Sequence, residues 1–198
     1  MKSMIIVLLS LIWLPAFAQE TEGGNTITTF SGDEVTMSVV SARTINVKGK
    51  KLNKIVDKPR PLLLNGKDIY NHFWEENEAV YETEAHKKSM EEHTKYQMMI
   101  DELAKDEKRN LKEGEYALHL TNMVVNEQGY IVYYETKGLE RYHKKLRGTT
   151  IAVNNKAAEN INTIVQSQVH KMRFTTFVLD NTPRAYIGSF TYFFIVGE

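Results

Sequence analysis

Three residues have types and spacing that could hold a metal: Glu82, His86 and His93. On a helix, Glu82 and His86 stand at i,i+4, and His93 lies two turns further along the same face. Such a trio could bind Zn²⁺ weakly. A solvated helix face with scattered histidines explains the same residues without special geometry, so no metal or other cofactor is expected. Paired carboxylates at Glu75/Glu76 and Glu91/Glu92 could in principle do general acid–base work. Adjacent helical residues point apart, however, and nothing puts these pairs in a concave apolar site. With no cysteine in the chain, thiol nucleophiles and cysteine metal sites are excluded. There is no G-x-S-x-G, no H-E-x-x-H and no Gly-rich phosphate loop. The chain therefore reads as non-enzymatic. The alternative is a small secreted metal-binding or hydrolytic protein centred on residues 71–112.

Two basic clusters remain. Arg141, His143, Lys144, Lys145 and Arg147 form the denser one, and Lys48, Lys50, Lys51, Lys54, Lys58 and Arg60 the other. Either could meet an acidic partner, a lipid phosphate or a peptidoglycan carboxylate, and either could be an ordinary exposed loop. Neither carries the interleaved aromatics of a single-strand nucleic-acid groove. With 25 basic and 25 acidic residues, net charge +0, there is no global field for nucleic acid or an anionic membrane.

The elements that must position these residues follow from composition and period. A chain of 198 residues, 42% hydrophobic, can bury one ordinary core, or a small core with an attached segment. MKSMIIVLLSLIWLPAFAQE has a positive start, a short apolar run, a proline and Ala16-Phe17-Ala18. It reads as a secretory signal peptide, residues 1–18, cut after Ala18. Its apolar run is shorter than the roughly 20 residues that span a bilayer. No transmembrane span is expected after cleavage, and the compartment is periplasmic or secreted. Residues 19–33 are polar and Gly-rich, a flexible N-terminus. Residues 34–70 form a β-rich segment: alternation around Val35, Met37 and Val39, two short strands around KGKK, and Asn65-Gly66 as a hairpin turn. Residues 71–112 form one long connector helix, or two, rich in Glu, Lys, Ala, Met and Leu, with a thin apolar stripe. Gly114 stops it.

From residue 113 the pattern is orderly. Tyr116, Leu118 and Leu120 alternate, NEQG turns the chain with Gly129 at a position needing positive φ, and YIVYYETKG completes a hairpin. A basic excursion follows, with a short strand at Thr149–Val153. Asn154 or Asn155 caps a helix whose Ala157, Ala158, Ile161, Ile164, Val165, Val169 and Met172 share one face. DNTP turns the chain, and Arg184–Val196 is the last strand. Its apolar residues on both faces suggest that one face meets the helix and the other the upstream segment or a partner.

VVNEQGYIVYYETKG, the helix from Asn155 to Met172, MRFTTF and TPRAYIGSFTYFFIV together resemble the C-terminal domain of TonB-family proteins, over residues 114–198. The resemblance implies an α+β fold: a small antiparallel sheet with one helix packed on it (β-β-α-β), preceded here by the long helix and the β-rich segment. PLLLNGKDI is also similar to a run common in Bacteroidetes-type envelope proteins. The chain departs from the family's transducers in its cleavable N-terminus, its total of 4 prolines, the lack of a Tyr-Pro pair before the first strand, and Phe174-Thr175-Thr176 in place of F-x-P. The resemblance therefore implies a domain shape rather than energy transduction. It implies protein binding by strand addition at the cell envelope, linked to outer-membrane transport. The implied partner is an outer-membrane receptor segment or a second copy of the chain, with no nucleic acid involved. The partner-binding residues expected are Tyr186, Phe190, Tyr192 and Phe194 on the last strand, with Arg141, Lys144 and Lys145.

Overall fold

In the computed structural model the described residues are 26–38, 41–47, 50–70, 84–144, 148–179 and 181–197. The signal-peptide reading, the start of the connector helix and residues Glu82 and Lys145 lie outside them.

Strands β1 (Thr26–Thr28) and β2 (Glu34–Met37) run antiparallel. Strands β3 (Ser41–Val47) and β4 (Lys50–Asp57) form a separate hairpin. Strands β5 (Pro61–Leu64) and β6 (Lys67–Asp68) extend the first pair into a sheet of order β1-β2-β5-β6. The Asn65-Gly66 turn between them has φ values of 51° and 75°, the left-handed pair that a two-residue hairpin requires. The Asn65 side chain does more than turn the chain. Its Oδ1 accepts from Glu34 N at 2.9 Å and its Nδ2 donates to Asp33 Oδ1 at 2.9 Å, which ties the turn to β2.

The described part of the connector is two helices, α1 (Glu84–Leu103) and α2 (Lys105–Lys108), broken at the buried Ala104. Next come β7 (Gly114–Val125), β8 (Ile131–Tyr142), β9 (Thr150–Ala152), α3 (Lys156–Val169), β10 (Phe177–Leu179), β11 (Thr182–Arg184) and β12 (Tyr186–Val196). The main sheet is antiparallel throughout, with order β12-β7-β8-β9. The fold is α+β. Gly129 turns the β7–β8 hairpin at φ 88°, and a Cβ there would collide with the Phe174 carbonyl. Asn155 caps α3, its Oδ1 accepting from Ala158 N at 2.9 Å. Two features differ from the sequence reading. Residues 139–142 belong to β8, so Arg141 sits in a strand and not in a loop. The DNTP turn closes a small hairpin, β10–β11.

Period 2 and a bulge together decide what the main sheet buries. Leu118, Leu120, Phe190, Tyr192 and Phe194 face α3 and α1 in one core, with Ile100, Ile161, Val165 and Val169. At Asn122, φ 48°, the register of β7 slips against both neighbours. An extra residue reverses the alternation, so Met123 and Val125 face the same core as Leu120. Val124 is turned to the opposite face, where Val132, Ala185 and Ile187 join Val35, Met37, Leu64 and Ile69 in a second core. The N-terminal sheet thus covers one end of the main sheet's outer face. Of the two alternatives for the outer face of the last strand, the upstream segment or a partner, the upstream segment covers its start at Ile187, while Phe193 and Ile195 stay exposed.

Candidate functional site

The strand β12 lies at the edge of the main sheet, and its outward backbone groups recur every second residue. They are used in order along the strand. Tyr70 N donates to Ala185 O at 2.8 Å, and Ile187 N donates to Tyr70 O at 2.9 Å, forming a parallel bridge centred on Tyr186. Tyr70 is a one-residue added strand supplied by the chain itself. Further along, two side chains of α1 take over. His93 Nε2 lies 2.9 Å from Ser189 O, and Gln97 Nε2 donates to Phe193 O at 2.9 Å. The same period assigns Thr191 and Ile195 to this outward set. Glu92 fixes the α1 side of the edge by accepting from Thr175 N at 2.6 Å and from Thr175 Oγ1 at 2.9 Å.

The side chains expected to meet a partner face inward instead. Phe190, Tyr192 and Phe194 are buried core residues. Phe194 stacks on Tyr116 with ring centroids 5.3 Å apart. The Tyr192 hydroxyl donates to Asp101 Oδ1 at 3.1 Å. Burial first, then the Asp101 charge and this hydrogen bond, push the Tyr192 phenol well above its ordinary range. Tyr186 is half-buried, and its hydroxyl donates to Thr175 O at 3.3 Å. Burial, then the Glu92 charge, push it up as well. A run of aromatics on one strand reads as a sticky surface until the sheet shows which side is covered. What β12 presents outward is its backbone, with the side chains of Phe193 (36% exposed) and Ile195 (52% exposed) on the open part of the outer face. Tyr142 packs edge-on to Phe193, centroids 6.3 Å apart.

Of the basic cluster, Arg141 is committed internally. Its guanidinium donates to Glu113 O and lies over the Tyr116 ring. Lys144 is exposed. It lines a cleft of about 800 Å³ together with Glu113, Glu115, Tyr142, His143 and Ile195. The lining of this cleft contains, among the described residues, no serine, threonine or cysteine. Among the described residues no group of three His, Cys, Asp or Glu stands together in a way that could hold a metal. His93 is engaged by the carbonyls of Ser89 and Ser189, each at 2.9 Å, and its ring packs against Phe174 and Phe190. No described helix is long and apolar enough to cross a membrane.

Sequence reasoning missed Tyr70, Glu92 and Gln97 as edge residues. No local signal marks them, because their role depends on which strand lies outermost. Comparison with family models, with curated proteins and with solved structures finds no match to this chain.

Proposed function

We propose that this chain is a non-enzymatic, secreted or periplasmic binding module of the cell envelope. It captures an extended segment of another protein as an added strand along the outer edge of β12. The observation that carries the reading is Tyr70. An extended residue from outside the sheet already pairs with this edge through two main-chain hydrogen bonds. Strand addition takes its affinity from such bonds and its selectivity from alternate side chains. Here the neighbouring outward side chains are Phe193 and Ile195, which offer an apolar contact to every second residue of the added strand. A sheet edge with no full strand beside it is a template for pairing, and β12, at 11 residues, is long enough to serve as one. The hairpin β7–β8, helix α3 and strand β12 occur in the order that the TonB resemblance implies, with β9 and the β10–β11 hairpin as additional strands between them. The segment captured belongs to an outer-membrane receptor or to a second copy of the chain.

The test is a cross-linking pull-down from native envelope with a C-terminally tagged chain, run beside Thr191→Pro. Proline removes an outward N–H and is tolerated at sheet edges, so the core should be kept, as checked by circular dichroism. Loss of capture by a folded Thr191→Pro chain is expected. Undiminished capture by that variant would remove β12 as the binding edge.

A further inference from the structure

We propose that α1 is an intramolecular latch that holds the strand-acceptor edge of β12 closed until an extended segment displaces it. This proposal rests on the strand-capture reading above.

An added strand lies about 4.7–4.9 Å from its neighbour, and that lane beside β12 is where α1 side chains now reach. His93 and Gln97 engage the carbonyls of Ser189 and Phe193, each at 2.9 Å. An incoming strand would place its N–H donors on those same oxygens, so helix and strand compete for one set of acceptors. The two α1 residues stand at i,i+4 and therefore share a face. Along β12, the two acceptors they use bracket Thr191.

The attachment of α1 is uneven along its length. Its second half buries Tyr96 and Ile100, followed by Ala104, in the main core. The Tyr96 hydroxyl bridges the Arg173 backbone, donating to its O at 2.8 Å and accepting from its N at 2.6 Å. The first half buries no side chain among residues 87–95. Lys87, Lys88, Met90 and Glu91 are exposed; Glu92 bonds to Thr175 and His93 to Ser189, and the half-buried His93 ring lies against Phe174 and Phe190. A helix held by side-chain hydrogen bonds can let go without opening a cavity, whereas one held by buried apolar groups cannot. The backbone departs from helical dihedrals at Ala104, φ −91° and ψ 1°, immediately beyond the anchored stripe, while Ala104 N still donates to Ile100 O and Ala104 O still accepts from Lys108 N. Residues 87–95 swing away while Tyr96, Ile100 and Ala104 stay in the core, and Gln97 releases the Phe193 carbonyl by turning its side chain alone. Main-chain bonds from the captured strand replace the bonds α1 gives up.

The probe is a fluorescein-labelled peptide with the sequence of residues 66–73, whose Tyr70 already pairs with β12 in cis. It is titrated by anisotropy into the full chain and into His93→Ala/Gln97→Ala. A control peptide carries proline at the Tyr70 position. Hydrogen exchange of α1 and α3 is followed by mass spectrometry with and without peptide. Expected is about tenfold tighter binding to the double variant, the factor that two modest hydrogen bonds supply. Faster exchange in α1 of the wild-type chain on saturation is also expected, with α3 unchanged and no binding of the proline peptide. Protected α3 amides also verify that the double variant is folded, and Gln97→Ala alone replaces it if they are not. Equal binding to both chains with no change in α1 exchange would overturn the latch and leave strand capture standing. Binding to neither chain, or equal binding of the proline peptide, would overturn strand capture and the latch with it.

Discussion

The two long helices meet the same sheet with opposite chemistry. Helix α3 presents a wide apolar stripe, with Ala157, Ala158, Ile161, Val165 and Val169 all buried, and its start is capped by Asn155. Helix α1 is longer, at 20 residues, yet among its described side chains it buries only Tyr96 and Ile100. It otherwise meets the rest of the domain through the partly buried Met99 and through polar side chains, Glu92, His93, Gln97 and Asp101. The burial of α3 is non-directional and proportional to area, so α3 cannot leave without opening the core. The contacts of α1 are directional and can be handed to another donor. One helix is held by apolar burial along its length, the other by apolar burial in its second half and mainly by polar side chains in its first.

The comparison breaks most easily at its strongest point. Ile161→Ala should cost about 2–5 kcal/mol of global stability, as large-to-small core changes do, and urea unfolding would read this. A loss below about 1 kcal/mol would mean that α3 is not the core helix described here. The α1 side carries a pH test at Tyr192, which joins Asp101 of α1 to β12. Its phenol is raised above 10.0 in the folded chain, so the unfolded chain loses its proton first as pH rises. Stability should therefore be whole below about pH 10 and fall above it by roughly 1 kcal/mol per pH unit for each such tyrosine. Tyr192→Phe should reduce that slope in pH-dependent denaturation. Asn155→Ala should cost about 1 kcal/mol through the lost cap, seen as a lower urea midpoint at unchanged m-value. The smallest effect belongs to His93→Ala, expected at about 1 kcal/mol or less globally, with faster hydrogen exchange confined to α1. A His93→Ala loss as large as that of Ile161→Ala would erase the distinction between the helices.

What was legible in the sequence was local. Asn65-Gly66 and Gly129 mark turns because positive φ selects those residues. Asn155 and the stripe behind it mark α3, because a cap and a 3.6-residue period are written into neighbouring positions. The small hairpin β10–β11 was missed because only its turn has a local signature. Arg141 was read into a loop because its run of basic neighbours hides the last residues of β8. The aromatics of β12 were visible as a strand, while the side they would face was not.

The sequence by itself determined the α+β class, the last strand, the capped helix and the lack of thiol chemistry. Each depends on residue type or on short-range period. Only the tertiary structure decided which strand lies outermost, how the bulge at Asn122 sorts β7 between two cores, and that Tyr70, His93 and Gln97 meet the edge of β12. These are pairings between residues far apart in the chain, such as His93 with Ser189 and Met123 with Gly188. They exist because burying one face of a sheet fixes its register. That choice is made by the whole core at once, and no stretch of the chain carries it alone.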